Sequence, residues 1–132
     1  MQRLVIDTNI LVNALRKGGA KNSRSRRLLK DVFLGKYDIY ISSKIENEYL
    51  RILNLKHLSI NPFLRAVLFI WLHNNAIYIE PNSSDQAHVE MKDEDDRIFF
   101  DVAKCVNAKL VTRNVKDYPV HEIITLIEEL YP

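Results

Sequence analysis

The stretch "RLVIDTNILVNALRKGG" (Arg3 to Gly19) changes its periodicity at an acid. Leu4, Val5 and Ile6 form an unbroken apolar run that stops at Asp7. A run without alternation fits a strand covered on both faces, as in a parallel sheet. From Thr8 onward Ile10, Leu11, Ala14 and Leu15 recur at helical spacing. Thr8 or Asn9 can cap that helix and Gly18–Gly19 can end it. A buried strand that passes directly into a helix is the opening of a strand–helix–strand unit, and here the join carries a carboxylate.

The rest of the chain repeats the alternation. A second helix is expected from Ser23 to Leu34, stopping at Gly35. "YDIYIS" is β-rich and alternating, and "SKIENEYLRIL" returns to the 3.6 period through Ile45, Tyr49, Ile52 and Leu53. Pro62 can start an apolar helix that runs through Asn74. "AIYIE" is a third strand closed by Pro81, and "AKLVT" a fourth. "HEIIT" is a short fifth, followed by a capping-box pattern in Thr125 and Glu128. Strands alternating with helices indicate an α/β domain around a mainly parallel sheet of four to five strands. No repeat, low-complexity tract or second domain interrupts it, so residues 1–132 read as one domain.

Composition agrees with a domain that builds its own core. The chain has 132 residues, 47% of them hydrophobic. The net charge of +2 points to no particular partner, but its distribution does. Arg16, Lys17, Lys21, Arg24, Arg26, Arg27 and Lys30 fall together with no acid among them until Asp31. Such a run is a solvated surface or a phosphate-facing edge. The single cysteine, Cys105, excludes an intrachain disulfide and is expected to be buried within an apolar helix. The N-terminus shows no apolar signal segment, and "FLRAVLFIWL" is too short to span a bilayer. A cytoplasmic protein without a membrane partner is the expectation.

The acids concentrate at one edge. Ligands of open parallel sheets sit beyond the C-terminal ends of the strands. Asp7 follows the first strand; Thr112, Asn114 and Asp117 end or follow the fourth; Glu46 and Glu48 lie in the helix after the second. Asp93, Glu94, Asp95 and Asp96 open the helix before the fourth strand. At about 100° per residue, Asp95 and Asp96 fall inside that helix's apolar arc, Asp93 at its border and Glu94 on the polar side. Glu94 and Asp93 therefore suit capping, and Asp95 or Asp96 points inward. Crowded carboxylates repel, and one holds its proton unless a cation intervenes. An oxygen-only set suits Mg²⁺ or Mn²⁺, and the four histidines show no zinc spacing.

"VIDTNILV", "ISSKIENEYL", "DEDDRIFFDVA" and "LVTRNVKDYP" resemble, in order, the successive motifs of the PIN domain family, and most of all its VapC-type toxins. The resemblance runs over nearly the whole chain. It implies a three-layer α/β/α sandwich and metal-dependent cleavage of RNA. It also implies that Asp7, Glu48 and Asp96 match the first three acidic positions, with Asp95 the runner-up to Asp96. At the fourth position many relatives carry Asp where this chain has Asn114, so Asp117 or Asn114 takes that place. Thr8, Asn9 and Thr112 would support the carboxylates. An RNA substrate and a cognate antitoxin follow from the same likeness.

The reaction expected is hydrolysis of an RNA phosphodiester with Mg²⁺ or Mn²⁺ at Asp7, Glu48, Asp96 and Asp117. Arg24, Arg26 and Arg27 are expected to hold the RNA backbone. Two alternatives are an RNA-binding PIN fold without activity and a receiver-type phosphoacceptor module. The second lacks a paired acid at the first strand end and a lysine directly after the fourth or fifth strand. The helix from Pro62 carries apolar residues on most of its circumference. A homodimer or higher homo-oligomer, or an antitoxin, is expected to cover it.

Overall fold

The structure is a computed structural model that describes residues 1–18, 23–82 and 89–132. Gly19, Lys21 and His88, which figured in the sequence expectations, lie outside the described residues.

Leu4, Val5 and Ile6 sit in β1 (Gln2–Ile6) and are all buried, as a strand covered on both faces requires. Four further strands join it: β2 (Tyr37–Ile41), β3 (Ile77–Tyr78), β4 (Lys109–Thr112) and β5 (Ile124–Leu126). The order is β3-β2-β1-β4-β5, and every pairing is parallel. The sheet thus grows from β1 to one side and then, after β3, to the other. Its switch point lies between the C-terminal ends of β1 and β4, where an open α/β sheet leaves a crevice.

The helices are α1 (Thr8–Leu15), α2 (Ser23–Phe33), α3 (Ser43–Leu53), α4 (Pro62–Asn75), α5 (Arg97–Val106) and α6 (Ile127–Leu130). α5 packs on β1, β2 and β4, while α1 packs on β4 and α2 on β2. With right-handed crossovers the reversal after β3 puts α5 on the face opposite α1 and α2, which gives the expected α/β/α sandwich. Two residues past the end of α2 the chain turns at Gly35, whose φ of 76° is open to glycine at little cost. Ser42 caps α3 by accepting from the Ile45 N–H at 3.2 Å. Asn61 caps α4 through the amides of Phe63 and Leu64, with Pro62 in the first turn.

Several local expectations need correction. Asp7, not Thr8 or Asn9, occupies the N-cap position of α1, and that helix ends at Leu15 before the glycines. The acidic run opens as a 3₁₀ turn (Glu94–Asp96), and α5 begins only at Arg97. Its residues therefore step by about 120° rather than 100°. Asp95 is consequently exposed, whereas Asp96 is half-buried. Cys105 is exposed, because Phe99, Phe100, Val102 and Ala103 take the buried face of α5. The last helix is capped one residue later than expected: the Leu126 N–H donates to Glu129 at 3.4 Å, and Thr125 turns its hydroxyl to the Ile123 carbonyl. β3 is shorter than "AIYIE", although the Ile79 N–H still donates to Ile41 O at 2.8 Å.

α4 is thinly covered for an apolar helix of its length. Leu68 and Leu72 are its buried residues, while Phe63 and Ile70 are 73% and 63% exposed. No helix among the described residues is long and apolar enough to cross a membrane.

Candidate active site

Asp7 stands at the switch point. Its amide donates to Val111 O at 2.9 Å, so the β1–β4 ladder continues through the acid itself. The side chain is only 7% exposed. Three side-chain donors converge on its Oδ2: the Thr112 hydroxyl at 2.9 Å, the Tyr118 hydroxyl at 3.0 Å and the Asn9 amide at 3.3 Å. Burial raises the pKa of Asp7, and the bonds from Thr112 and Tyr118, then the first-turn amides of α1, pull against that rise. The carboxylate is held in one place by groups that favour its charge in a setting that opposes it.

Each support comes from a different element. Thr112, at the end of β4, also accepts from Asn9 Nδ2 at 3.2 Å and from the Asn114 amide at 3.1 Å. Asn9 accepts from the Arg113 amide at 3.2 Å, which ties the first turn of α1 to the strand end. Tyr118 follows the 3₁₀ turn Val115–Asp117 and is buried, its own pKa raised by desolvation and by Asp7. Tyr49 of α3 donates to the Ile6 carbonyl directly before Asp7. Thr8 has a buried hydroxyl oxygen that finds no partner among the described residues.

The second acid is Asp96. Its pKa is pushed up to about 7, first by desolvation and then by the charges of Asp7, Asp93, Asp117 and Asp95. Asp117 is thus brought within electrostatic reach of Asp96, although it is exposed on its own turn. Asn114 is exposed and spends its amide on Thr112. The remaining members of the acidic run have separate occupations. Asp93 accepts from the Asp95 amide at 3.0 Å, and Glu94 pairs with Arg97 at 2.6 Å, which lowers its pKa.

The two α3 acids, which helical geometry left undistinguished, part ways here. Glu46 accepts a hydrogen bond from the Tyr78 hydroxyl on the β3 side. Glu48 faces a groove shared with Lys44, Arg51, Glu94 and Asp95, and Arg51 bonds both of its oxygens at 2.9 and 3.1 Å. Among the described residues no three acids stand close enough together to enclose a metal ion. The donor set nevertheless fits a small hard cation, because Mg²⁺ is commonly held by one or two carboxylates and keeps several waters. Asp7 and Asp96 are the two carboxylates here that could form such a pair.

The expected RNA contacts of α2 are not brought to this edge. Arg26 donates to Ala14 O at 3.2 Å and to Arg16 O at 2.8 Å, at the C-terminal end of α1. Arg24 donates to Tyr131 O at 2.8 Å, and the Arg27 guanidinium lies 5.0 Å from the centre of the Tyr131 ring. Tyr118 is the residue that the sequence reading passed over. It stands inside the quoted "NVKDYP", but nothing local shows that its hydroxyl meets an acid 111 positions away.

A family model described as a PIN domain matches residues 3–116, a span that includes Asp7, Asp96 and Thr112. The chain belongs to the PIN domain family. Two solved structures share the fold. VapBC2 from Rickettsia felis, bound to a DNA fragment from its promoter, superposes with a TM-score of 0.57. It is 21% identical, over 95% of this chain and 97% of that one. FitAcB from Neisseria gonorrhoeae gives a TM-score of 0.55 at 20% identity, over 86% of this chain and 89% of that one. No curated protein matches the chain significantly. Within the PIN fold, Asp7 and Asp96 occupy the crevice that the strand order creates.

Proposed function

We propose that residues 1–132 form a single PIN domain that hydrolyses RNA phosphodiester bonds with Mg²⁺ or Mn²⁺ and serves as the toxin of a toxin–antitoxin pair. The observation that carries this reading is the Asp7 carboxylate, buried at the switch point, braced by Thr112, Tyr118 and Asn9, and facing the second acid Asp96. A fold that needed only a helix cap at Asp7 would not support two crowded acids whose desolvation costs stability.

Asp7 and Asp96 would hold the cation directly, with Glu48 and Asp117 at its outer edge. A bound divalent cation supplies an acidified water and neutralises charge on the phosphate. The chain's own part is to fix Asp7 through three donors and to keep its inner side dry with Tyr49 and Tyr118. Asp96 retains a proton near neutral pH while its acidic neighbours are unscreened. Asp117 would add charge at the fourth position, where Asn114 cannot, and its electrostatic reach to Asp96 supports an active enzyme over an inactive RNA-binding fold.

The fold shared with VapBC2 supports the toxin–antitoxin part of this reading, and the uncovered side of α4 suits an antitoxin or a second copy of this chain. A cytoplasmic location accompanies an RNA substrate. The test is incubation of the purified chain with single-stranded and structured RNAs, with and without Mn²⁺. Cleavage that requires the metal and disappears in Asp7→Asn is expected. Equal cleavage by wild type and Asp7→Asn would defeat the reading.

A further inference from the structure

Beside the acidic centre runs a groove of about 330 Å³. Its floor is apolar, made by Val12 of α1, Ile52 of α3, and Leu55 and Leu58 around the short 3₁₀ turn Lys56–Leu58. Its upper wall is Thr8 and Asn9, the two residues that follow Asp7. Asn9 therefore lines the groove and donates to the Asp7 carboxylate at once. His57 and Arg113 stand on the rim, and neither side chain forms a hydrogen bond or ion pair among the described residues. Thr8 lines the groove too, but its hydroxyl oxygen is itself closed to solvent and has no partner among the described residues.

We propose that this groove receives one nucleobase of a single-stranded RNA, the base adjacent to the phosphate at Asp7. The proposal rests on the nuclease reading and adds a subsite to it. Three features select a base over an apolar protein side chain. The groove is continuous with the acidic centre through Thr8 and Asn9, so a strand whose phosphate lies at Asp7 reaches it with its next nucleotide. The Arg113 backbone is bonded to Asn9, which roots a cationic side chain at that junction, complementary to the phosphate. The apolar floor offers contact to a ring face, while the His57 imidazole on the exposed rim offers a hydrogen bond to a ring edge. An aliphatic side chain would use the floor but neither the His57 imidazole nor the Arg113 guanidinium.

The experiment is fluorescence anisotropy with a short labelled single-stranded RNA in EDTA, where no metal-dependent cleavage competes with binding. The same RNA is then scanned with a single abasic site at each position. With the wild-type chain, one abasic position should cost about tenfold in affinity. Val12→Trp, which fills the groove, should weaken the intact RNA by a similar factor and abolish the difference between intact and abasic RNA. Its salt dependence should stay that of wild type, since no ionic contact is lost. Arg113→Ala should weaken intact and abasic RNAs alike and reduce the slope of log Kd against log salt by about 0.7. The abasic scan needs no variant, so a poorly folding Val12→Trp leaves the proposal open to refutation. RNA that binds equally with every abasic site overturns the groove and leaves the nuclease reading standing. RNA that neither binds nor is cleaved in Mn²⁺ overturns both.

Discussion

The Tyr118 hydroxyl donates to Asp7 Oδ2 at 3.0 Å, joining two buried residues 111 positions apart. Removing that hydroxyl in Tyr118→Phe keeps the ring and its packing and takes one of three donors from a desolvated carboxylate. A buried hydrogen bond to a charged group is worth about 1.5–3 kcal/mol, so chemical denaturation of the metal-free variant should show a loss in that range. Groups that orient a metal-ligating carboxylate typically contribute 10–100-fold to affinity. Calorimetric titration should therefore show Mn²⁺ binding weakened by about tenfold or more. Undiminished Mn²⁺ affinity would reduce Tyr118 to a packing residue.

The metal-free protein should become less stable as pH rises toward neutrality. Asp96 in the fold keeps its proton up to about pH 7, whereas an unfolded aspartate titrates at about 3.9. The folded state then binds more protons across that window, so the stability present at low pH is lost as pH rises through the folded pKa. Asp7, also raised, contributes with the same sign. Asp31, Glu80 and Glu94 have lowered pKa values and act oppositely, their stabilisation being lost only as pH falls below the ordinary carboxylate range. Melting temperatures in EDTA should accordingly fall between about pH 5 and pH 7 and then level off. Asp96→Asn should flatten that fall; a wild-type curve that rises throughout would contradict the crowding.

What the sequence discloses, and what it hides, follows from the range of each interaction. Leu4 to Ile6 announce a buried strand because a two-sided strand needs three consecutive apolar residues, and Asp7 marks where it ends. Those signals are local. The cap of α1 and the 3₁₀ turn at Glu94–Asp96 differ from expectation by one or a few residues, because either geometry satisfies the same local donors. For that reason alone the sequence leaves Asp95 open beside Asp96 as the inward-pointing acid. Cys105 looked buried because its neighbours are, although it stands outside the arc they define. Tyr118 was invisible as a support because its role depends on the sheet bringing β4 beside β1. The separation of Glu46 from Glu48 likewise waited on Tyr78 and Arg51, one of them from another element.

Arg26 should matter to stability more than to RNA. It satisfies the carbonyls of Ala14 and Arg16 at the end of α1, where a cation also meets the negative end of the helix dipole. Arg26→Ala should cost about 1 kcal/mol in urea denaturation. Replacing Arg24, Arg26 and Arg27 together should leave the salt dependence of RNA binding where it was. A slope reduced by about two units would return these side chains to the phosphate-binding role that the sequence suggested.

The open side of α4 should mediate assembly. Phe63 and Ile70 present large apolar side chains to solvent, and Leu64 lines an apolar groove against Leu29, Phe33 and Leu34. Light scattering at micromolar concentration should report a homodimer or larger species, and Ile70→Glu should convert it to monomer. A wild-type monomer would remove the homo-oligomer and leave the face to an antitoxin.

The acidic run gives the most discriminating series. Asp96 is half-buried beside Asp7 and Asp117, Asp95 is exposed, and Glu94 is occupied by Arg97. Asp7→Asn and Asp96→Asn should each abolish most RNA cleavage, because the amide keeps size and one acceptor oxygen but loses the charge that draws a divalent cation. In EDTA neither should melt below wild type, since neutralising one acid relieves the other. In Mn²⁺ both should lose most of the stabilisation that metal binding confers on wild type. Asp95→Asn should cost less than Asp96→Asn, and Glu94→Gln should leave cleavage nearly unchanged. The measurements are cleavage rate and melting temperature for all four variants with and without Mn²⁺. Full activity in Asp96→Asn with loss in Asp95→Asn would mean that the 3₁₀ turn rotates by one residue when metal binds. Full activity in both Asp7→Asn and Asp96→Asn would leave the run as a helix start and remove the metal centre altogether.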